Sequence, residues 1–543
     1  MRVRVLLGAA LTSVCCAALA GATPLNAGDL DPGFGFGGTV VFPQGNYSTA
    51  NAVAAQADRK IILAGTISDA PPPPPLPPRS PSMPDIALSD FLAIRLTADG
   101  ALDQGFGAAG FARVPIDLGG TDGDEATAVA LGPHGTVVLG GWVDNAAGSH
   151  DSAVVRLTSA GDLDQSFDGD GIRTVDVGQA DAVDGLAIQA DGKLVAAGPG
   201  GSGLTLFRLD VNGSLDPTFG TGGIVNTVVG DPVARDEASA VAIADDGKIV
   251  VAGASDVDYP YIAKAAVARY LPTGQLDPTF GTDGIVLTSG PPGERAVANT
   301  LTLQPDGRIV VGGDAGAWGS PGRSFIARYL PIGALDGSFG EGGTVITGDD
   351  TAGLVRSLAV DADGKLVTGG AASSDFALTR YHGDGSLDGS FGSGGRRTYD
   401  LAGESDFGNA LLVDGGARRV VVAGGTQLEG HPHAAVIGVQ LGPLGTPPPP
   451  APPPPGGPPP PPPGGPPPPP PAPPPAPVRC RVPRVVHLRL AKARVKIRRA
   501  HCRLGRVRRV RARRFRGIVI GQSPRAGRRL AHGSRVNLVV GRP

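Results

Sequence analysis

The chain has 543 residues and a formal net charge of −2, from 48 basic and 50 acidic residues. That near balance conceals a division: residues 478–543 carry 22 Lys and Arg and no acid, which leaves 26 bases against 50 acids, a charge of −24, over residues 1–477. Segregation on this scale implies different partners for the two regions. Beyond the amino terminus no run approaches the roughly 18 apolar residues of a spanning helix, which excludes an integral helical membrane segment there.

The amino terminus reads as a secretory signal. Met1, Arg2 and Arg4 precede an apolar run over residues 5–20, with small-residue cleavage sites at Ala18-Leu19-Ala20 and Ala20-Gly21-Ala22. A mature chain starting near residue 21 or 23 is expected, secreted and either extracellular or associated with the cell wall. Cys15 and Cys16 fall inside the signal and in no lipoprotein cleavage box, so processing leaves Cys480 and Cys502. Two cysteines in an exported module read as one disulfide. No sorting motif precedes the final Val-Val-Gly-Arg-Pro, so surface retention would be non-covalent.

After the signal, the phrase Leu-Asp-x-x-Phe-x-x-x-Gly occurs seven times, beginning at Leu30, Leu102, Leu163, Leu215, Leu276, Leu335 and Leu387. Each unit repeats one order, clearest in the fourth: a short strand at residues 223–225, a run at 238–244, the turn Asp245-Asp246-Gly247, a run at 248–253 and another at 266–271. The runs Ile249-Val250-Val251, Ile309-Val310-Val311 and Val420-Val421-Val422 are β-branched and bounded by Asp-Gly or Gly-Gly, which predicts buried strands of antiparallel hairpins. Asp191-Gly192, Asp246-Gly247, Asp306-Gly307 and Asp363-Gly364 supply the positive φ of tight turns. Four strands in each of seven units predict a mainly β fold, a seven-bladed β-propeller of four-stranded antiparallel blades over residues 28–445. Through Leu215-Asp216-Pro217-Thr218-Phe219-Gly220, Asp246-Gly247-Lys248-Ile249-Val250-Val251-Ala252-Gly253 and Val267-Ala268-Arg269-Tyr270, the repeat resembles the delta-sixty-type β-propeller repeats of exported bacterial proteins. The resemblance spans roughly three quarters of the chain and implies the fold, with no activity attached to it.

Arg95, Arg156, Arg208, Arg269, Arg328 and Arg380 hold one place on the fourth strand of their units, and Asp31, Asp103, Asp164, Asp216, Asp277, Asp336 and Asp388 follow the repeated Leu. Recurrence in nearly every unit favours a structural ion pair or turn bond over a ligand role. The seventh unit departs at Gln440.

Alternating strand direction places the Asp-Gly turns and the Leu-Asp-x-x-Phe-Gly segments, read as blade-to-blade links, on one uniform face. Loops of variable length lie on the other. These hold Asp122, Asp124, Glu125, Asp236, Glu237, Asp349, Asp350, Glu404 and Asp406, the proline tract 71–75, and the rings of Trp142, His150, Tyr259, Tyr261, Trp318, His431 and His433. Function gathers on loops held by a rigid scaffold. Trp142, Tyr259, Tyr261, Trp318, His431 and His433 are therefore the candidate binding residues for a protein or glycan ligand, against the plainer reading that they cover strand ends.

Motifs for chemistry are absent or explained by the repeat. Gly33-x-Gly35-x-x-Gly38 spells a dinucleotide fingerprint but opens no helix. Asp168-Gly169-Asp170-Gly171 aligns with Gly220-Thr221-Gly222-Gly223 and lacks a twelfth-position Glu, so a turn variant is preferred to a calcium loop. His431-Pro432-His433 has no further ligand at recognisable spacing. With no Gly-x-Ser-x-Gly, His-Glu-x-x-His or phosphate-binding loop, no catalytic residue, cofactor or metal site is assigned.

Residues 446–477 are nearly all proline, a spacer that could reach on the order of 100 Å as polyproline II. Beyond it, Leu490, Ala493, Ile497 and Ala500 form one stripe of an expected helix, and Lys492, Lys496, Arg499 and Arg503 form the opposite, basic stripe. Strand-like runs follow at residues 505–510, 517–521 and 535–540. Carried by Val482-Pro483-x-Val485-Val486, Ile520-Gly521-Gln522-Ser523-Pro524-x-x-Gly527 and Gly533-Ser534-x-Val536, this small α+β order resembles the PASTA domain of penicillin-binding proteins and Ser/Thr kinases. The resemblance implies binding to peptidoglycan. The charge independently implies attraction to an anionic wall polymer through Lys492, Lys496, Arg499 and Arg503, and a Cys480–Cys502 bridge would staple a domain too small to bury much core.

These readings favour a non-enzymatic secreted or surface protein, with the basic module on the wall and the propeller as a binding or scaffold platform. Two alternatives remain: an extracellular hydrolase or lyase working through the variable face, and nucleic-acid binding by the arginine-rich module.

Overall fold

Short runs of Val, Ile, Ala and Gly dictate strands that must be covered on both faces, and Ile249–Ser255 and Ile309–Gly316 are buried along their whole length. The computed structural model describes residues 26–70, 88–178, 181–230, 235–255, 262–317, 322–347, 354–401, 405–428 and 430–442, and within 480–542 all but 484, 487–491, 494–495, 498–499, 501, 512–517, 524–528 and 531–534. The expected signal, the proline tract 71–75 and the spacer lie outside these residues. Contacts divide the chain into two units, residues 1–448 and 449–543.

In the first unit the strands form seven four-stranded antiparallel sheets among the described residues. Six span residues 47–114, 119–175, 185–227, 237–288, 295–346 and 357–399; the seventh spans 406–440 and is completed by Thr39–Phe42 from the start of the unit. A single parallel bridge, Ser89 to Gly123, joins the first two. Each inner strand packs against the next, and the seventh packs against the first, so the sheets are blades of a closed ring.

Strand pairing corrects the phase of the repeat. Ile224–Thr227 pairs with Leu204–Leu209 as the outer strand of the third blade, and does not begin the fourth. The repeated Arg therefore sits on the third strand. The Leu-Asp-x-x-Phe segment connects third to outer strand within a blade, and the true blade-to-blade links run on the variable face. The assignment of loops to the two faces is unchanged by this shift.

A belt of ion pairs lies under the uniform face. The guanidinium of Arg95, Arg156, Arg208, Arg269, Arg328 or Arg380 stands 2.7–2.9 Å from the repeated Asp of its own blade. It covers the repeated Phe at 4.6–5.0 Å, an attraction of about 1–2 kcal/mol for a partly desolvated pair. It also donates to a backbone carbonyl of the next blade, as Arg380 Nη1 does to Leu441 O at 2.7 Å. A second cation, at the head of the second strand, reaches the same Asp from Lys60, Lys193, Lys248, Arg308 and Lys365. Although burial opposes it, hydrogen bonds from Ser338 and the charge of Arg328 hold Asp336 down to about 2.

The seventh blade departs differently from the sequence expectation. Leu30 bridges Val439 as Leu276 bridges Tyr270, so the Arg position is held by Gly438 and not by Gln440. A side chain there would strike the Phe34 ring, 2.7 Å from an added Cβ. Arg419, in the second-strand position of Lys248, replaces the missing cation: it lies 2.8 Å from Asp31 and covers Phe34 at 4.7 Å.

In the second unit, Cys480–Arg481 pairs with Arg529–Leu530, and Arg535–Arg542 lies between Arg503–Arg511, parallel to it, and Val519–Ser523, antiparallel. Val482, Val485, Ala493, Ile497, Cys502, Val519, Val536, Leu538 and Val540 form its apolar cluster. The Gln522 side chain clamps the first segment, accepting from Val485 N and donating to Pro483 O. Lys492–Ala493 and Lys496–Ile497 are helical, with both lysines exposed and Ala493 and Ile497 fully buried, as the expected stripes require. Arg503 instead opens a strand, because the helical segment stops before Cys502; Arg499 lies outside the described residues.

Candidate functional site at the axial opening

Glycine on the second strand of each blade shapes the inner ring. A Cβ at Gly65, Gly141, Gly198, Gly253, Gly313, Gly370 or Gly424 would lie 1.8–2.0 Å from a carbonyl of the inner strand or of the residues just before it, so only glycine allows that approach. Beside it the pairing slips by one residue, skipping Asn51, Thr127, Ser239, Asn299 and Asn409. Bulges re-aim side chains. Asp184 and Arg356 hold the same position in the third and sixth blades, two residues after Ala182 and Leu354, whose carbonyls face Gly198 and Gly370. The position is thus polar in all seven blades.

These side chains join neighbouring blades. Asn51 Nδ2 donates to Ala126 O at 3.0 Å, Asn299 Nδ2 to Val355 O at 3.1 Å and Asn409 Nδ2 to Ala50 O at 3.2 Å. They also form a continuous arc across four inner strands: Arg356 Nη1 donates to Asn409 Oδ1 at 2.8 Å, Asn409 Nδ2 to Asn51 Oδ1 at 3.1 Å and Asn51 Nδ2 to Glu125 Oε1 at 2.8 Å. Past Glu125 the arc becomes acidic. Asp184 feels the charges of Glu237 and Glu125.

Asp184 and Arg356 are both exposed to water, while the protein packed around them still disfavours their charged forms. Desolvation, then Glu237 and Glu125, pushes the Asp184 carboxyl up to about 7. Desolvation likewise raises Glu125 to about 7 against the opposing bond from Asn51. A carboxyl at that value exchanges its proton near neutrality, so the arc offers a cation at one end, amides between, and acids raised by burial at the other.

Trp142 lies opposite Glu125 in the strand register, on the same face of the sheet. It is half-buried and stacks on His150, ring centroids 4.2 Å apart at 14°, and His150 Nε2 is 3.1 Å from Asp144 Oδ1. His431 and His433 begin the third strand of the seventh blade, both half-buried, with burial and then His431 lowering the pKa of His433. The structure does not group them with the Trp142 pair on the second blade. Tyr259, Tyr261 and Trp318 lie outside the described residues, as do Asp349, Asp350, Glu404 and the Asp122 side chain.

Three acids expected in open loops are buried instead. Asp124, Asp236 and Asp406 are at most 1% exposed, because each accepts a backbone N–H of the preceding link, from Ile116, Val229 and Leu401 respectively. Asp168, at φ +49° and paired with Arg173 at 3.2 Å, belongs to a turn. Cys502 is 4% exposed with its sulfur engaged, and the Cys480 side chain lies outside the described residues. Among the described residues no helix is long and apolar enough to cross a membrane.

Comparison with known proteins agrees with the repeat. Residues 133–167, 189–219, 244–280, 304–339 and 362–391 match a family described as a β-propeller domain of unknown function, DUF5122. The chain is a β-propeller repeat protein. No curated protein matches it. Similar solved structures include an ulvan lyase of polysaccharide lyase family PL25, 8% identical, covering 74% of this chain and 96% of that one at a TM-score of 0.43. The Fusarium graminearum α-L-arabinofuranosidase of family GH93 is 10% identical, with coverages of 74% and 98% and a TM-score of 0.40. For the Penicillium chrysogenum α-L-arabinanase the figures are 12%, 77%, 99% and 0.38. At these identities the likeness concerns the fold alone.

Proposed function

We propose that the chain is a non-enzymatic, secreted, envelope-associated binding protein. Its propeller takes a hydroxyl-rich ligand, of glycan type, at the axial opening, and its basic PASTA-like module holds peptidoglycan or another anionic wall polymer. The arc from Arg356 through Asn409 and Asn51 to Glu125 carries the reading. Paired donors and acceptors beside water suit hydroxyl groups, and Trp142 opposite Glu125 offers a ring face of the kind on which sugars stack. For the module, the support is its charge and the exposure of Lys492 and Lys496.

The test is co-sedimentation of the exported full chain with purified wall, and a screen of soluble wall glycans. Asp184→Asn and Arg356→Gln should abolish glycan binding without lowering the thermal midpoint. Lys492→Glu with Lys496→Glu should weaken sedimentation with wall more than retention on DNA. Glycan binding indifferent to both axial substitutions, or preference for DNA, would remove the support for the corresponding half.

One observation favours a second reading, a hydrolase or lyase: Asp184 and Glu125 are carboxyls each raised by burial to about 7, and a general acid needs a proton near neutrality. Release of reducing ends or unsaturated sugars from a wall polysaccharide, lost in Asp184→Asn, would favour it over binding alone.

A further inference from the structure

Two blade-to-blade links on the variable face repeat one cluster of carboxylates. Asp151 is the second residue of the third strand of the second blade, Asp176 follows the outer strand of that blade, and Asp181 precedes the inner strand of the third blade. Between the sixth and seventh blades the same three positions hold Asp375, Asp400 and Asp406. Within each trio, one oxygen from every residue lies within 4.8 Å of the others.

We propose that each trio, Asp151–Asp176–Asp181 and Asp375–Asp400–Asp406, binds a calcium ion that fastens one blade to the next. Acidic clusters on a surface are common, and the buried member of each trio distinguishes these two. Asp181 is fully buried and Asp406 is 1% exposed. Oδ2 of Asp181 is committed to Val177 N and Gly178 N at 2.6 and 2.9 Å, and Oδ2 of Asp406 to Leu401 N at 2.6 Å. That leaves Oδ1 of each, buried and without a hydrogen bond of good geometry among the described residues, with Thr426 beside the second. A buried carboxylate oxygen lacking a partner is costly unless a cation meets it.

Among the described residues no Lys or Arg is ion-paired with Asp151, Asp176, Asp181, Asp375 or Asp406. Desolvation, and then Asp176 and Asp151, accordingly pushes Asp181 above the usual carboxylate range. Other links lack the trio: the position of Asp375 is Lys264 in the fourth blade, and in the first blade Asp90 is taken by Arg113. An all-oxygen donor set with three charges suits a hard divalent cation, and calcium tolerates the irregular geometry that backbone carbonyls and water would complete, where magnesium demands an octahedron.

The experiment uses the exported full chain, freed of metal by a chelator and titrated with calcium chloride in a calorimeter, with thermal midpoints in parallel. Asp181 and Asp406 hold the links through their other oxygen, so the substitutions are Asp176→Asn and Asp400→Asn, at the exposed member of each trio. The expected result is two equivalents of calcium, one lost in each single variant and both in the double, with a calcium-induced rise in midpoint that shrinks in step. No binding up to about 1 mM free calcium, the weak end for extracellular modules, or undiminished binding in both variants overturns the proposal. Magnesium binding as tightly as calcium overturns the assignment of the ion.

Discussion

Replacing Arg419 by alanine tests how the ring is closed. Asp31 and Phe34 come from the segment preceding Thr39–Phe42, whereas Arg419 heads the second strand of the last blade, so their contact ties the two ends of the propeller together. In most blades the repeated Asp meets two cations, but here Gly438 occupies the other cation's position and Arg419 acts alone on Asp31. Its side chain is 4% exposed and that of Asp31 11%. Removing one partner of so buried a pair costs about 3–5 kcal/mol, chiefly through the charge left behind. Lys248→Ala provides the contrast, because Arg269 still holds Asp277 at 2.9 Å and Lys248 is 27% exposed, so a loss of about 1 kcal/mol or less is expected. Arg156→Ala should fall between: it is the cation on Asp164, at 16% and 18% exposure. Chemical denaturation of the full chain followed by circular dichroism orders the three. Adding Asp31→Asn to Arg419→Ala should recover a large part of the loss, since the amide keeps the bond to Gly33 N without the stranded charge. If Arg419→Ala proves no worse than Lys248→Ala, or Asp31→Asn rescues nothing, the reasoning fails.

The axial acids give a pH dependence of definite sign. Glu125 ionises at about 7 in the folded chain against 4.5 ordinarily, so between those values the native state holds a proton that the unfolded state has released, and its contribution falls as pH rises through that window. Glu125→Gln should match the parent near pH 4 and exceed it in denaturant midpoint near pH 8; an equal difference at both pH values would contradict a retained proton. In the basic module, a bridge between Cys480 and Cys502 should appear in non-reduced peptide mapping, and Cys480→Ser should lower the module's own transition by about 3 kcal/mol while sparing the propeller. Free thiols in the full chain recovered from an oxidising compartment would refute the pairing.

Much of the propeller was legible because its repeat couples chemistry to geometry in every blade. Leu-Asp-x-x-Phe marks a buried ring under a guanidinium, and Asp-Gly marks a hairpin with glycine at positive φ, as at Gly247, +83°. The phase of the blades was not legible, since a three-residue strand such as Gly223-Ile224-Val225 pairs by register with the strand before it, and spacing alone fits either neighbour. Gly438 was missed for a related reason: Gln440 lies near the right distance, and only the bridge from Leu30 to Val439 fixes the alignment. Asp124, Asp236 and Asp406 resembled loop acids because burial by backbone N–H groups leaves no mark in composition.

The axial arc was written in the sequence in a form that a search for motifs overlooks. Asn51, Thr127, Asp184, Ser239, Asn299, Arg356 and Asn409 form a polar column inside runs otherwise rich in Ala, Val and Leu, a pattern that contradicts a buried strand unless the residue is turned out of it. In five blades a bulge opposite the close-approaching glycine does that, and the column's polar groups first satisfy the neighbouring blade's carbonyls. The column therefore needs polarity for the ring to close, while identity at each blade is free to vary. That freedom is where a binding preference could be written: charge enters the column only at Asp184 and Arg356, in the third and sixth blades, so the proposed ligand would meet an oriented site on a nearly symmetric scaffold. Exchanging the two, Asp184→Arg with Arg356→Asp, keeps the column polar and its net charge unchanged, and should leave stability near the parent value while abolishing ligand binding; loss of folding with retained affinity in the surviving fraction would show that the charges serve closure and not recognition.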